Sequence, residues 1–228
     1  MPYSTTAQFV KALAVPALLL TLATPAWSQE EPPFAKTGVY VGASNVFDFA
    51  LDGLTFDGSS YYRQIDGDEI LILPRLERKS AMRALVGVRS RRGAFEVSYD
   101  QTTHRGTFLD APGEATFHAI NGDERIFALT RGRIQPYGLL GLSVQWLTIK
   151  DGSYLEPNIG NATFRGMGVN METGVMVYPV SRVGISTGYR YRAMWFDRAT
   201  GVGDREYELR PRFRETSGSL VVTALFTF

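Results

Sequence analysis

The sequence predicts an all-β chain: a closed, antiparallel, eight-stranded transmembrane β-barrel with short turns at one end and long loops at the other. Three observations carry this. Residues 38 to 228 hold eight segments in which apolar and polar side chains alternate with period 2. Most of them exceed the ~5–6 residues of an ordinary soluble strand and reach the ~9–11 that a tilted membrane strand needs. The connections alternate between tight and long, which is how a membrane barrel arranges its two rims.

The bulk numbers agree. The 228 residues include 23 glycines and no cysteine, with 12% aromatics. Glycines and aromatics suit strands and turns. The absence of cysteine excludes a disulfide scaffold, a thiolate metal site and a cysteine nucleophile. Formal charge is +1, so no clustered basic surface marks a nucleic-acid partner.

At the N-terminus, "ALAVPALLLTLA" (12–23) follows Lys11 and precedes "TPAWSQE". An uncharged run of about 12 residues is a signal-peptide core, too short to span a bilayer. Ala26 and Ser28 fit a cut before Gln29. The expected domains are therefore a signal peptide over 1–28, a short exposed periplasmic leader over 29–37 and a barrel over 38–228. No later run approaches 18 apolar residues, so a membrane form has to be a barrel.

The segments lie at roughly 38–50, 80–91, 93–103, 115–131, 134–149, 163–178, 182–197 and 214–228. Tight turns fall at "SRRG" (90–93), "RGR" (131–133) and "YPVSR" (178–182). Long loops are expected at 51–79, 104–114, 150–162 and 198–213. In the first loop, "EILILPRL" (69–76) suggests strands that continue above the membrane.

Which face meets lipid is decided by "RVGISTGYRYRAMWFD" (182–197). Val183, Ile185, Thr187, Tyr189, Tyr191, Ala193 and Trp195 share one face; Gly184, Ser186, Gly188, Arg190, Arg192, Met194 and Phe196 share the other. An arginine facing lipid near the midplane costs about 2–4 kcal/mol, so the arginine face points inward. By the same logic Met167 to Val177, Leu140 to Trp146, Phe95 to Tyr99, Met82 to Val88 and the odd positions Val39, Val41, Ala43, Phe47 and Phe49 point outward. The segment "ATFHAINGDERIFALTR" (115–131) is ambiguous: either register exposes a charge to lipid unless a bulge or an upper end outside the bilayer relieves it. Trp146 and Trp195 are expected in the girdle at the loop side, and Tyr178, Phe226 and Phe228 in the one at the turn side.

The inward charges are then Asp48, Arg83, Arg89, Glu96, Asp100, Glu172, Arg190 and Arg192, four of each sign. Buried charges persist only when paired, so the lumen is expected to hold a charge network, with Glu172 near Arg190 or Arg192. Its functional reading is a gate whose pairs swap partners. Catalytic chemistry is not expected: of the two histidines, His104 lies in "TTHRG" and His118 in "TFHAIN", and neither forms a His-Ser pair on a late strand. No cofactor or metal site is expected; "DGDE" (66–69) lacks the full calcium-loop pattern. The arginines of "DREYELRPRFRE" (204–215) suit lipopolysaccharide phosphates.

With these residues in place, the chain resembles the small eight-stranded outer-membrane β-barrels, the group of OmpA-type transmembrane domains and opacity-type, porin-like proteins. The carriers are "GVYVGAS" (38–44), "GAFEVSYD" (93–100), "IQPYGLLGLSVQ" (134–145), "VGISTGYRYR" (183–192) and the terminal "LVVTALFTF". The resemblance implies export to the bacterial outer membrane, and a C-terminal Phe228 read by the barrel-assembly machinery. It also implies a structural or surface-interaction role, with outer-membrane lipids and an extracellular ligand of the loops as partners. Narrow conductance is its alternative and lipid A modification a distant third. It places an inward Glu at Glu96.

Overall fold

The computed structural model describes residues 34–49, 52–53, 61–65, 69–73, 75–76, 79–108, 111–155 and 157–228. The signal-peptide expectation over 1–28 lies outside them. Eight long strands form the wall: β1 Gly38–Phe49, β2 Lys79–Arg89, β3 Gly93–Phe108, β4 Ala111–Phe127, β5 Ile134–Leu155, β6 Asn158–Val180, β7 Val183–Thr200 and β8 Glu206–Thr227. Each pairs antiparallel with its sequence neighbours, and β8 pairs with β1 to close the ring. Closure satisfies the backbone groups that an open edge would leave bare in lipid. "SLVVTALFTF" is the closing seam: Ala224 opposes Ala43 and Phe226 opposes Val41. Inside the seam, the Ser44 and Thr223 hydroxyls hydrogen-bond at 2.8 Å.

The pairing register fixes the barrel's geometry. One row of partners runs Val177, Ile185, Ala224, Ala43, Ala84, Tyr99, Ile120, Val144 and Met167, returning to β6 ten residues from where it left it (177 − 167). A stagger of ten residues around eight strands tilts them by about 40°. Every side chain in that row is apolar or aromatic, none is charged, and all point outward. On β6 the outward residues stay uncharged from Met167 to Val177, with exposed Arg165 just above. Ten residues at that tilt make an apolar band about 25 Å tall, the thickness such barrels present to lipid. Among the described residues, Glu124 is the one charged side chain on the outer face within it.

The alternation assigns the other faces as the sequence implies: Leu220, Val222, Ala224, Phe226 and Phe228 are exposed, whereas Ser219, Val221, Thr223, Leu225 and Thr227 are buried. Four features differ. First, three expected long loops are mostly ladder. The β3–β4, β5–β6 and β7–β8 hairpins keep pairing up to Phe108–Ala111, Leu155–Asn158 and Thr200–Glu206. Strands of 16 to 23 residues exceed a membrane crossing, so their upper parts stand beyond the band as a paired wall. Second, Tyr178 is not a girdle residue: it is fully buried in the lumen, because Val177 points outward and parity turns its neighbour in. Third, the end of the leader is not exposed. Ala35 is buried, and the Phe34 and Lys36 amides donate to the carbonyls of Thr130 and Ser181 in two short turns. Fourth, β4 has one register and no bulge, with Ala115, Phe117, Ala119, Asn121, Asp123, Arg125 and Phe127 inward.

The described strands of the first loop reach the far wall. Its hairpin of Tyr61–Ile65 and Glu69–Leu73 adds to β5 through Ile70 opposite Tyr154 and Leu71 opposite Ser153. In a ring of eight, β5 stands across from β1, where the loop begins. Leu71 is buried.

Candidate functional site: the charged lumen

The lumen is filled in three layers. Toward the hairpin end, Leu71, Phe117, Leu147, Ile149, Phe164, Met194, Phe196 and Leu209 form an apolar plug. Toward the short turns, Tyr40, Leu85, Phe127, Tyr137, Met176, Tyr178 and Leu225 form a second apolar cluster, with Ala35 inside it and Phe34 against it. Between and around these lie the charges.

Among the described residues, strand alternation delivers five inward arginines, Arg83, Arg89, Arg125, Arg190 and Arg192, and four inward acids, Glu96, Asp100, Asp123 and Glu172, all buried. The sequence reading lacked Asp123 and Arg125, since the face of β4 was undecided. The side chains of Asp48, Arg210, Arg212 and Arg214 and residues 66–68 of "DGDE" lie outside the described residues.

Asp100 is the hub of one cluster. Its Oδ1 accepts from Arg83 Nε at 2.5 Å, and its Oδ2 accepts from Arg83 Nη2 at 3.1 Å and Arg192 Nη2 at 2.5 Å. Arg192 also donates from Nε to Asn170 Oδ1 at 2.8 Å and from Nη2 to Asn121 Oδ1 at 3.0 Å. Arg190 centres the next cluster: Nε reaches Glu172 Oε2 at 2.7 Å and Nη2 reaches Asp123 Oδ2 at 3.1 Å. Glu172 directly opposes Arg190 in the ladder, as the cross-strand spacing implied, and Tyr137 donates to its other oxygen at 2.6 Å. Asn170 ties the two clusters by donating to both Asn121 and Asp123. Lower down, Arg125 pairs with Glu96 at 3.0 Å, and the Tyr40 hydroxyl donates to the same carboxylate at 2.7 Å.

Arg89 stands apart. Among the described residues it reaches no carboxylate; it donates to Gln135 Oε1 at 2.5 Å and to the Tyr178 hydroxyl. Its guanidinium lies 3.9 Å from the Phe127 ring centroid, and the ring's electron-rich face supplies attraction in place of an acid. Of the six residues expected in the lumen network, Arg83 and Arg192 share Asp100 and are tied through Asn170 to Arg190 with Glu172, Glu96 pairs with Arg125, and Arg89 reaches no carboxylate among the described residues.

Two small cavities lie among the described residues. One cavity borders Arg83, Asp100, Phe117, Arg190 and Arg192, and another borders Tyr40, Arg89, Glu96, Arg125 and Tyr178; each has room for about one water. Glycine keeps the strands this close: a Cβ at Gly141 would stand 1.9 Å from Asp123 Oδ1 and 2.6 Å from the Gly122 carbonyl. The two histidines lie on opposite faces of the wall. His104 is buried on the inner face of β3. His118 lies on the outer face of β4, stacked between Tyr99 and Trp146, its Nδ1 2.6 Å from the Tyr99 hydroxyl. Among the described residues no cluster of acids and histidines could hold a metal.

An apolar outer band, a polar and ion-paired interior and eight strands staggered by ten residues define the architecture. The chain has the fold of the small eight-stranded outer-membrane β-barrels. Among solved structures, the Neisserial surface protein A (NspA) is 16% identical with a TM-score of 0.55, over 84% of this chain and 98% of that one. The outer membrane protein OprG from Pseudomonas aeruginosa is 12% identical with a TM-score of 0.52, over 87% and 99%. No protein-family model and no curated protein sequence matches the chain.

Proposed function

We propose that this barrel is an integral protein of the bacterial outer membrane with a sealed lumen, serving a structural or surface-interaction role. The observation that carries it is the filling of the lumen: an apolar plug, joined ion-pair clusters and a second apolar cluster lie in series along the axis. A filled interior suits a scaffold whose working surface is the paired wall above the band. In this reading the hairpins face outside the cell, and an extracellular ligand or neighbouring lipopolysaccharide is the partner. The chain is read as non-enzymatic, and residues 1–28 as the export signal that is removed. The alternative is a narrow porin-like channel gated by Arg83, Arg89, Glu96, Glu172, Arg190 and Arg192; Asp100, shared between Arg83 and Arg192, is where partners would swap.

Phe228 belongs to this proposal as the assembly signal. Its amide donates to the Val39 carbonyl at 3.0 Å, and its ring meets Phe226 edge-on at 5.4 Å, so it contributes little to the ladder beyond its last rung. Cell fractionation with gel migration of unboiled and boiled samples tests both. Wild type is expected in the outer-membrane fraction with heat-modifiable migration. Phe228→Asp is expected there at several-fold lower level, yet with the same migration once folded. Recovery of wild type in the soluble fraction defeats the proposal, and normal levels of the variant defeat the role of Phe228.

A further inference from the structure

The outer face of the seam carries a polar group that the barrel itself does not use. Asn45 on β1 is exposed and points outward, two residues above Ala43. Its position follows from the register: three strands along the row from Val177 and two residues up place it about 14 Å above the lower edge of a band about 25 Å tall. That is close to the bilayer midplane, where an amide has no water to bond. Among the described residues its side chain makes no hydrogen bond. An unpaired amide in hydrocarbon is costly.

The surroundings favour close approach. Asn45 opposes Val222 and Met82, and directly beneath it Ala224, Ala43 and Ala84 lie side by side in one row across β8, β1 and β2. All three alanines are exposed. Small side chains let a neighbouring wall come near enough for a short polar side chain to be reached. An amide carries both a donor and an acceptor, so it is complementary to itself. A two-fold axis along the membrane normal returns every residue to its own height, so Asn45 meets Asn45 of a second copy. The outward Glu124 sits on β4, three strands away, and does not meet its own copy about that axis.

We propose that the barrel forms a weak two-fold dimer through the β8–β1–β2 seam, with paired Asn45 amides at its centre and the alanine row as its contact strip. The partner is a second copy of this chain, because the feature is a self-complementary group and a two-fold about the normal brings it to its own copy at the same height. Bonds of this kind in membranes are modest, so the dimer is an equilibrium species.

The chain has no cysteine, which makes single-cysteine cross-linking clean. Ala43→Cys and, on the opposite wall, Leu142→Cys are each folded into phospholipid vesicles and oxidised. The expected result is a disulfide-linked dimer from Ala43→Cys and none from Leu142→Cys. In the Ala43→Cys background, Asn45→Leu is expected to weaken dimerisation about five- to ten-fold, with heat-modifiable migration retained, and Asn45→Gln to keep most of it. Equal cross-linking at both walls, or none at Ala43→Cys, overturns the proposal, as does Asn45→Leu that folds and dimerises like its parent. Should Asn45→Leu fail to fold, the comparison of the two walls decides.

Discussion

Asp100→Ala should lower the unfolding free energy of the barrel by about 3–5 kcal/mol, the cost of leaving a buried charge without its partner. The carboxylate serves two guanidinium groups at once, Arg83 and Arg192, so its loss removes the counter-charge of both, leaving Arg192 with neutral amide acceptors such as Asn170 and Asn121, in a region that admits about one water. Asp100→Asn keeps the shape and the acceptor but loses the charge, and should fall between. Replacing Arg83, Asp100 and Arg192 together with apolar residues of similar volume should cost far less than Asp100→Ala, because no charge is then left unpaired. Equilibrium unfolding in urea, followed by tryptophan fluorescence in phospholipid vesicles, measures all three. A triple variant as unstable as Asp100→Ala would show that packing, not charge pairing, sets the cost.

Met171→Arg should cost about 2–4 kcal/mol in the same measurement, the price of a cation near the bilayer midplane. Met171 is exposed and lies midway along the apolar run of β6, flanked outward by Val169 and Thr173. The next inward residue, Glu172, is buried beside Arg190. The strand thus carries a carboxylate inside and tolerates no charge one residue away on its other face. Arg165, six residues up and above the band, is already an arginine, so Thr163→Arg further up the same face should cost little. Equal effects at positions 163 and 171 would contradict the placement of the band.

The faces of seven strands were legible because two arginines in "GYRYR" leave only one tolerable register, and the rest follow by alternation. The fourth was not. In "GDER" both faces carry a charge, and the choice depends on what each face meets: Glu96 on neighbouring β3 receives Arg125, and Arg190 of β7, 67 residues away in sequence, receives Asp123. Glu172 with Arg190 could be anticipated because those residues oppose each other on adjacent strands. Arg192 with Asp100 could not: 92 residues separate them, and they meet across the lumen. Tyr178 shows two signals in conflict. Its type and depth suggest an interfacial girdle, yet parity with outward Val177 turns it inward, and parity is the stricter rule because it is set by the backbone. The strap of Phe34 and Lys36 rests on backbone hydrogen bonds to two turns, for which side-chain pattern gives no signal.

The filled lumen is the central claim, and single-channel recording in planar bilayers tests it most directly. Folded wild-type barrel should give no conductance steps, because two apolar clusters and the joined ion pairs close the axis in series. Discrete, reproducible steps from the wild-type protein would contradict it.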